Sequence, residues 1–374
     1  MQLAALIAGE IRMSRVIRWG VLGTGGIART VAQDFRFVPD AALLAVASRE
    51  LTRAQAFAQR YDIARSYGSY DALLQDDDID VVYIATPHMR HVDDALACIH
   101  AGKAVLCEKP FTINAREAQA VIQAARDRGV FCMEAMWMRF IPLIREVKAR
   151  VEQGEVGKVT HLAAAFGYPL LFAPTNRNFN PELGGGALLD RGIYPLSLSF
   201  YLLGQAASIE SEANIGSTGV DMTSHYRLLY DSGAEAVLSA SCEVYQPIEA
   251  TIRGTAGQIH IHAPFLRPHR ITVRQGVPAG GHRRQSLRWL AGTRGYQLVK
   301  RYLDKPFSAL GGQGDVFQRF PGRGYQFELE AVTRSLQAGK LEHDIMPLDE
   351  TLAVMQTMDE IRQQWGLVYP SERF

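Results

Sequence analysis

From Val16 onward, short apolar runs alternate with segments whose apolar residues recur at helical spacing. The runs are VIRWGVLG (16–23), LLAVASR (43–49), VVYIATP (81–87), AVLCEKP (104–110) and VFCMEAM (130–136). Between them lie IARTVAQDF, RAQAFAQRY, HVDDALACIHAG and NAREAQAVIQAARDRG. The last opens with Asn114 and Glu117 at capping-box spacing and stops at Gly129. Continuous apolar strands joined by amphipathic helices predict a parallel sheet covered on both faces, the doubly wound pattern.

Beyond residue 137 the rhythm changes. Helical patterns fall at 141–153, within 187–203, at 326–338 and at 348–365. The strands THLAAAFG, SIESEANIG, SHYRLLY, AEAVLSASCEVY, EATIRGT, GQIHIHA and RITVRQG follow one another without long crossovers. Asp231-Ser232-Gly233 and Thr255-Ala256-Gly257 sit at hairpin spacing. A large, mostly antiparallel open sheet is predicted, one face covered by helices or a second subunit. Residues 277–324, rich in Gly and Arg, read as an insertion or long loop. Residues 1–15 read as an N-terminal extension, with Met13 as an alternative start. That stretch lacks the basic start and the small-residue cleavage site of a signal peptide.

Composition serves mainly to exclude. Lys and Arg total 40 against 39 Asp and Glu, a net charge of +1, which gives no reason to expect nucleic acid or a membrane surface as partner. No apolar run reaches the ~18 residues of a membrane span. Cys98, Cys107, Cys132 and Cys242 show no CxxC spacing, which fits a reduced, cytoplasmic setting. The histidines show no paired ligand spacing, so no metal site is expected.

The first strand leads into Gly23-Thr24-Gly25-Gly26-Ile27-Ala28 and then a helix. This fits G-x-G-x-x-G/A in a strand–turn–helix context, the fingerprint of a dinucleotide-binding Rossmann unit. Gly23 permits the turn, Gly25 lets a pyrophosphate approach, and Ala28 allows close helix–sheet packing. The second strand ends Ser48-Arg49-Glu50. Ser48 can donate to a phosphate, and Arg49 can pair with it and stack on adenine, so NADP is favoured over NAD. Glu50 is the counter-indication, because a carboxylate there could instead reach the ribose. Two further strand ends carry candidate chemistry: Thr86-Pro87-His88 with His91, and Glu108-Lys109-Pro110. A lysine at the end of a buried strand is poorly explained by packing, and Pro110 fixes the backbone where its side chain emerges.

Together GTGGIA, ATPHMRH, CEKP, EAMWMRF, LGGGALLDRGIYPL and the tail MPLDETLAVMQTMDEIRQQWGLVYP resemble the Gfo/Idh/MocA oxidoreductase family. The resemblance covers about 16–265 and 325–370, and is strongest to the branch of dimeric dihydrodiol dehydrogenases and NADP-dependent D-xylose dehydrogenases. It implies an α/β protein with a Rossmann unit at 16–137 and a substrate-binding and dimerisation unit at 138–374. It implies hydride transfer between NADP and a sugar or cyclic vicinal diol. Glucose–fructose oxidoreductase-like or anhydrosugar reductase activity, or a silent NAD(P)-sensing regulator, remain as alternatives.

The resemblance also implies site roles. Lys109 lies near the nicotinamide and the reacting hydroxyl, with Asp190 and Tyr194 four residues apart on one helix face. Tyr194 stands where many relatives carry His. Here it is expected as the acid/base, its pKa drawn down by Lys109, with Asp190 orienting Lys109 or a substrate hydroxyl. Trp137 and Arg139 are expected at the nicotinamide, with Thr86, Pro87, His88, His91 and Glu108 at the coenzyme edge. Tyr168, Asn176, Arg177 and Phe179 are expected on the sugar side.

Overall fold

The structure, a computed structural model, describes residues 15–276 and 314–372. The expectations for residues 1–14 and 277–313 lie outside the described residues.

Six short strands form a parallel sheet: β1 (Ile17–Leu22), β2 (Ala41–Ala47), β3 (Arg65–Tyr67), β4 (Val81–Ile84), β5 (Ala104–Glu108) and β6 (Cys132–Ala135). Their order is β3-β2-β1-β4-β5-β6. The helices are α1 (Gly26–Asp34), α2 (Leu51–Tyr61), α3 (Tyr70–Leu74), α4 (His91–His100) and α5 (Ala115–Arg128). Trp19, Val21, Val82, Ile84, Val105 and Cys107 are wholly buried, as strands covered on both faces must be. α5 begins as its sequence predicts: the Asn114 side chain accepts from Glu117 N at 2.9 Å, and Gly129 closes the helix at φ 61°. The winding direction reverses between β1 and β4, which opens a crevice at their carboxyl ends.

A second sheet has eight strands: β7 (Val159–Gly167), β8 (Ser208–Ile215), β9 (Asp221–Leu229), β10 (Glu235–Ser241), β11 (Ala250–Gly254), β12 (Gly257–Ile261), β13 (Arg270–Gln275) and β14 (Asp315–Phe317). The order is β14-β13-β12-β11-β7-β10-β9-β8. Every pairing is antiparallel except β7 with β10. β7 lies between β10 and β11, so those two consecutive strands form no hairpin.

The link from β6 runs through a tight turn at Trp137–Phe140 into α6 (Pro142–Glu152). A wide π-turn at Leu188–Gly192 leads into α7 (Ile193–Leu203), which is buried nearly all round. α8 (Gln326–Gln337) and α9 (Leu348–Trp365) complete the described helices. The four cysteines are free and buried. No helix among the described residues is long and apolar enough to cross a membrane.

The end of the expected insertion is built into the fold. β14 pairs with β13, and Asp34 at the end of α1 accepts the backbone N–H groups of Arg323 and Tyr325 at 2.8 and 3.1 Å. This segment therefore ties the C-terminal part of the chain to the parallel sheet's first helix, which a reading of 277–324 as a separate loop misses.

Candidate active site

A cleft of about 920 Å³ opens at the carboxyl ends of the parallel strands and extends toward α7. At one end lies the glycine turn. Gly23 has φ 100°, and a Cβ there would meet the Ala85 carbonyl oxygen at 2.8 Å. Gly25 is the N-cap of α1 and has no side-chain cap; a Cβ on Gly25 or Gly26 would meet no protein atom within 4 Å. The cradle is thus empty of protein, floored by the uncapped N–H groups of a nine-residue helix. Thr24 and Ile27 line it, and Ala28 is buried against the sheet as its packing role requires.

Ser48 and Arg49 line the next part of the cleft. Glu50 also reaches it, but its carboxylate is held by Arg53 at 2.8 Å. Arg29, Arg53, Arg60 and Tyr61 add to this wall. Arg29 and Arg53 come from the beginnings of α1 and α2, and Arg60 and Tyr61 from the end of α2, an association that no short sequence pattern reveals.

Thr86, Pro87, His88, His91, Glu108 and Lys109 all line the middle of the cleft. Thr86 donates to Asp94 at 2.7 Å. His91 is buried between the Pro110 and Thr86 carbonyls, at 2.8 and 3.0 Å, and so braces two strand ends. His88 Nδ1 lies 3.1 Å from the Gly184 carbonyl, and its Nε2 lies 3.3 Å from Arg177 Nη1. Burial pushes the His88 imidazole well below its ordinary value, so it is neutral, with Nδ1 donating and Nε2 accepting. Glu108 is buried against the Tyr83 hydroxyl, and burial raises its carboxyl to about 6.

Lys109, Asp190 and Tyr194 meet at the far end. Lys109 Nζ donates to the Asp190 carbonyl at 2.6 Å and to its Oδ1 at 3.2 Å. It also lies 4.8 Å from the centroid of the Tyr194 ring. Burial works to raise the Asp190 carboxyl, but Lys109, Arg177 and His88 outweigh it and hold Asp190 below the usual carboxylate range. Asn178 supplies a further donor to Asp190 Oδ2 at 3.0 Å. The Tyr194 hydroxyl accepts from Trp137 Nε1 at 3.1 Å, which leaves its own proton free for another acceptor.

The expectation that Lys109 lowers the Tyr194 pKa is not met. Burial pushes that hydroxyl well above its ordinary value, and Glu108 adds to the rise. The ammonium sits over the ring face and spends two of its hydrogen bonds on Asp190. Several expected positions also need correction. Arg139 does not reach the cleft: it is fully buried, donates to Ser197 Oγ and O at 2.8 Å each, and pairs with Glu350. Trp137 stands behind the cleft rather than in it, bonded to Tyr194 and stacked on Tyr325 at 4.7 Å. Asn176 is exposed in a turn, where it accepts from Asn178 N at 3.0 Å. Phe179 is buried with Ala187, Met222, Ala240 and Cys242. Tyr168 and Arg177 do line the cleft.

At the end of the cleft near Tyr194, two further lining residues escape the sequence reading. Phe166 ends β7, where an alternating pattern could have marked it as facing inward. Tyr325 follows a turn that reads only as a loop. Glu249 and the closely spaced pair His260 and His262, which the sequence reading passed over, bring potential ligand atoms within 4.8 Å of one another. None of these three lines the cleft. Both nitrogens of His262 are already engaged, by Thr272 at 2.7 Å and Arg270 at 2.8 Å.

Residues 17–136 match a family model described as the oxidoreductase family, NAD-binding Rossmann fold, and residues 144–260 match the GFO/IDH/MocA C-terminal domain. Trans-1,2-dihydrobenzene-1,2-diol dehydrogenase of Xenopus tropicalis is 34% identical, over 94% of this chain and 99% of its own. D-xylose 1-dehydrogenase (NADP(+)) of Hypocrea jecorina is 31% identical, over 95% and 93%. Among solved structures, an aldose-aldose oxidoreductase from Caulobacter crescentus is similar with a TM-score of 0.77 at 21% identity, covering 94% of this chain and 98% of that one. The 3-ketoreductase KijD10 from Actinomadura kijaniata, in complex with NADP and TDP-benzene, has a TM-score of 0.74 at 24% identity, covering 93% and 97%.

Proposed function

This chain belongs to the Gfo/Idh/MocA oxidoreductase family, and from that premise we propose that it transfers a hydride between NADP and a carbinol or carbonyl carbon of a sugar or cyclic vicinal diol. The observation that carries this reading is one continuous cleft. It joins the bare glycine turn to Lys109, Asp190 and Tyr194.

The residues present fit a dinucleotide. The glycine turn leaves room for a pyrophosphate at the N–H groups of α1. Ser48 and Arg49 stand where a ribose phosphate would lie, and Arg53 neutralises the competing Glu50. When bound, the nicotinamide supplies the hydride donor or acceptor.

The protein does the rest. Lys109 uses two of its N–H groups on Asp190 and has a third for the reacting oxygen. Asp190 fixes the direction of that ammonium. Tyr194 carries the proton: its hydroxyl donates to the carbonyl oxygen in reduction and accepts from the alcohol in oxidation. Its raised pKa keeps it protonated at neutral pH, the state that reduction needs. Trp137 holds the phenolic oxygen in place by donating to it, at no cost to the proton that moves.

Residues 16–137 hold the coenzyme in this reading, and 138–374 close the substrate end. In the same reading the outer face of the eight-stranded sheet, where Val237 on β10 is 53% exposed, serves a homodimer or higher homo-oligomer. A cytoplasmic location agrees with four free, buried thiols. The test is absorbance of the reduced nicotinamide across aldoses, ketoses, inositols and dihydrodiols with both coenzymes. NADP-dependent turnover of a polyol supports the reading. Binding of NADP without turnover of any would replace it with a nucleotide sensor.

A further inference from the structure

We infer that the polyol accepted by this cleft carries a carboxylate, gripped by Arg177; this rests on the oxidoreductase reading above. Arg177 is supplied by the long connection between β7 and the π-turn, and it lines the cleft with its side chain 54% exposed. Its partners within the protein are thin. One is the accepting nitrogen of a neutral imidazole, His88, at 3.3 Å. The other is Asp190 Oδ1 at 3.4 Å, an oxygen already taken by Lys109 at 3.2 Å. Asn178 occupies the other carboxylate oxygen. A guanidinium has five N–H donors in a planar fork, and most of this one's are left for a ligand.

Charge points the same way. A third cation, Arg191, is buried beneath the cleft wall, 3.8 Å from the centroid of the Tyr168 ring. Its Nη1 donates to the Tyr168 and Ser241 carbonyls, while Nε and Nη2 have no hydrogen-bond partner. Its approach to a carboxylate is to Asp190 Oδ2, at 3.8 Å. Lys109, Arg177 and Arg191 therefore share Asp190. Glu108, the other acid nearby, is committed to Tyr83 and to the Lys109 backbone N–H. Three cations against the Asp190 and Glu108 carboxylates leave one positive charge, and with a neutral sugar only water answers it, at the half-exposed Arg177. A carboxylate on the sugar compensates it, and its two coplanar oxygens match the guanidinium fork. Because Lys109 and Arg177 meet on one oxygen of Asp190, a single small polyol acid can place its reacting hydroxyl on the first and its carboxylate on the second.

The experiment compares matched pairs, D-glucose with D-glucuronate and D-galactose with D-galacturonate, in NADP-dependent oxidation by the wild type, Arg177→Gln and Arg177→Lys. Uronates are expected to show the higher kcat/KM. Arg177→Gln is expected to lower it for uronates by about tenfold or more, through KM, and to lower it less for the neutral sugars, which lose only the support Arg177 gives Asp190, with partial recovery in Arg177→Lys. Equal or better use of the neutral sugars, or a loss in Arg177→Gln of the same size for both, overturns the inference and leaves the oxidoreductase reading standing. A raised Kd for NADP in Arg177→Gln with uronate selectivity intact also overturns it, since Arg177 would then serve the coenzyme. If no polyol is oxidised, the parent reading fails. Calorimetric titration of galacturonate into the NADP complex then decides: binding that Arg177→Gln abolishes supports the carboxylate grip, and no binding refutes it.

Discussion

Replacing Tyr194 by Phe removes one oxygen from the place where the two ends of the cleft meet. The ring can stay where it is, because its contacts with the Lys109 ammonium (4.8 Å) and the edge of Phe166 (5.5 Å) do not use the hydroxyl. The structural loss is the bond from Trp137 Nε1, which leaves a buried N–H unpaired at a cost of about 1–3 kcal/mol. Against a typical stability of about 5–15 kcal/mol, the variant stays folded and melts a few degrees lower. The catalytic loss is larger. A positioned acid/base contributes about 10²–10⁴-fold, or roughly 3–5 kcal/mol of barrier. The loss falls on kcat and leaves KM nearly intact, since Lys109 still holds the reacting oxygen. Steady-state kinetics with NADP, beside a thermal melt, give both numbers. Trp137→Phe is the control: it removes the same hydrogen bond but leaves the phenolic proton, so its kcat falls far less. Because burial raises the Tyr194 pKa, reduction is expected to run flat through neutral pH, while oxidation keeps gaining rate into the alkaline range. A Tyr194→Phe enzyme that keeps more than half of the wild-type kcat refutes the role given to this residue.

Arg49→Ala is expected to raise the KM for NADP by about 10–100-fold, the worth of a charged hydrogen bond, and to leave the KM for NAD almost unchanged. Paired titrations with the two coenzymes check this. Gly25→Asp places a good N-cap residue on α1, where a Cβ meets no protein atom, so the melting temperature should hold or rise. Coenzyme binding, read by fluorescence, should be lost because the carboxylate occupies the pyrophosphate cradle. Gly23→Ala should instead destabilise the fold, since it strains a positive φ and drives a Cβ onto the Ala85 carbonyl. Burial raises the Glu134 carboxyl from 4.5 to about 7, so the folded state holds that proton longer than the unfolded chain does. Its contribution is therefore complete below the unfolded value and is lost as pH rises through 7, by about 3 kcal/mol in all. Glu134→Gln should flatten that part of the stability profile in denaturant titrations between pH 5 and 8.

What the sequence makes legible is what short patterns encode. The apolar strands, the Asn114 cap, the glycine turn and the lysine at the end of β5 are each local, and each stands where its pattern places it. The wide turn at Leu188–Gly192 departs from the regular helix expected there, yet Asp190 and Tyr194 both line the cleft. Non-local features are less legible. β3 has only three residues, too few for a period, and the parallel pairing of β10 with β7 depends on a strand met seventy residues earlier in the chain. Tyr325 enters the cleft because Asp34, at the other end of the sequence, holds its backbone. Arg139 resembles a ligand-binding cation in the sequence. In the fold its guanidinium serves α7 and Glu350, across an interior contact that spacing does not encode. The Tyr194 pKa is hardest of all to foresee. Its direction depends on where the Lys109 ammonium points and on how completely the ring is buried.

The central claim is direct passage of hydrogen between a polyol carbon and the nicotinamide, with Lys109 and Tyr194 managing the oxygen and its proton. The most direct measurement follows a deuterium label from the carbinol carbon of a turned-over substrate. With NADP and the wild-type enzyme, magnetic resonance of the reduced coenzyme should show one deuterium at C4 per product formed, on a single face of the ring. Product formed with the label washed into solvent, or label spread over both faces, would contradict the account.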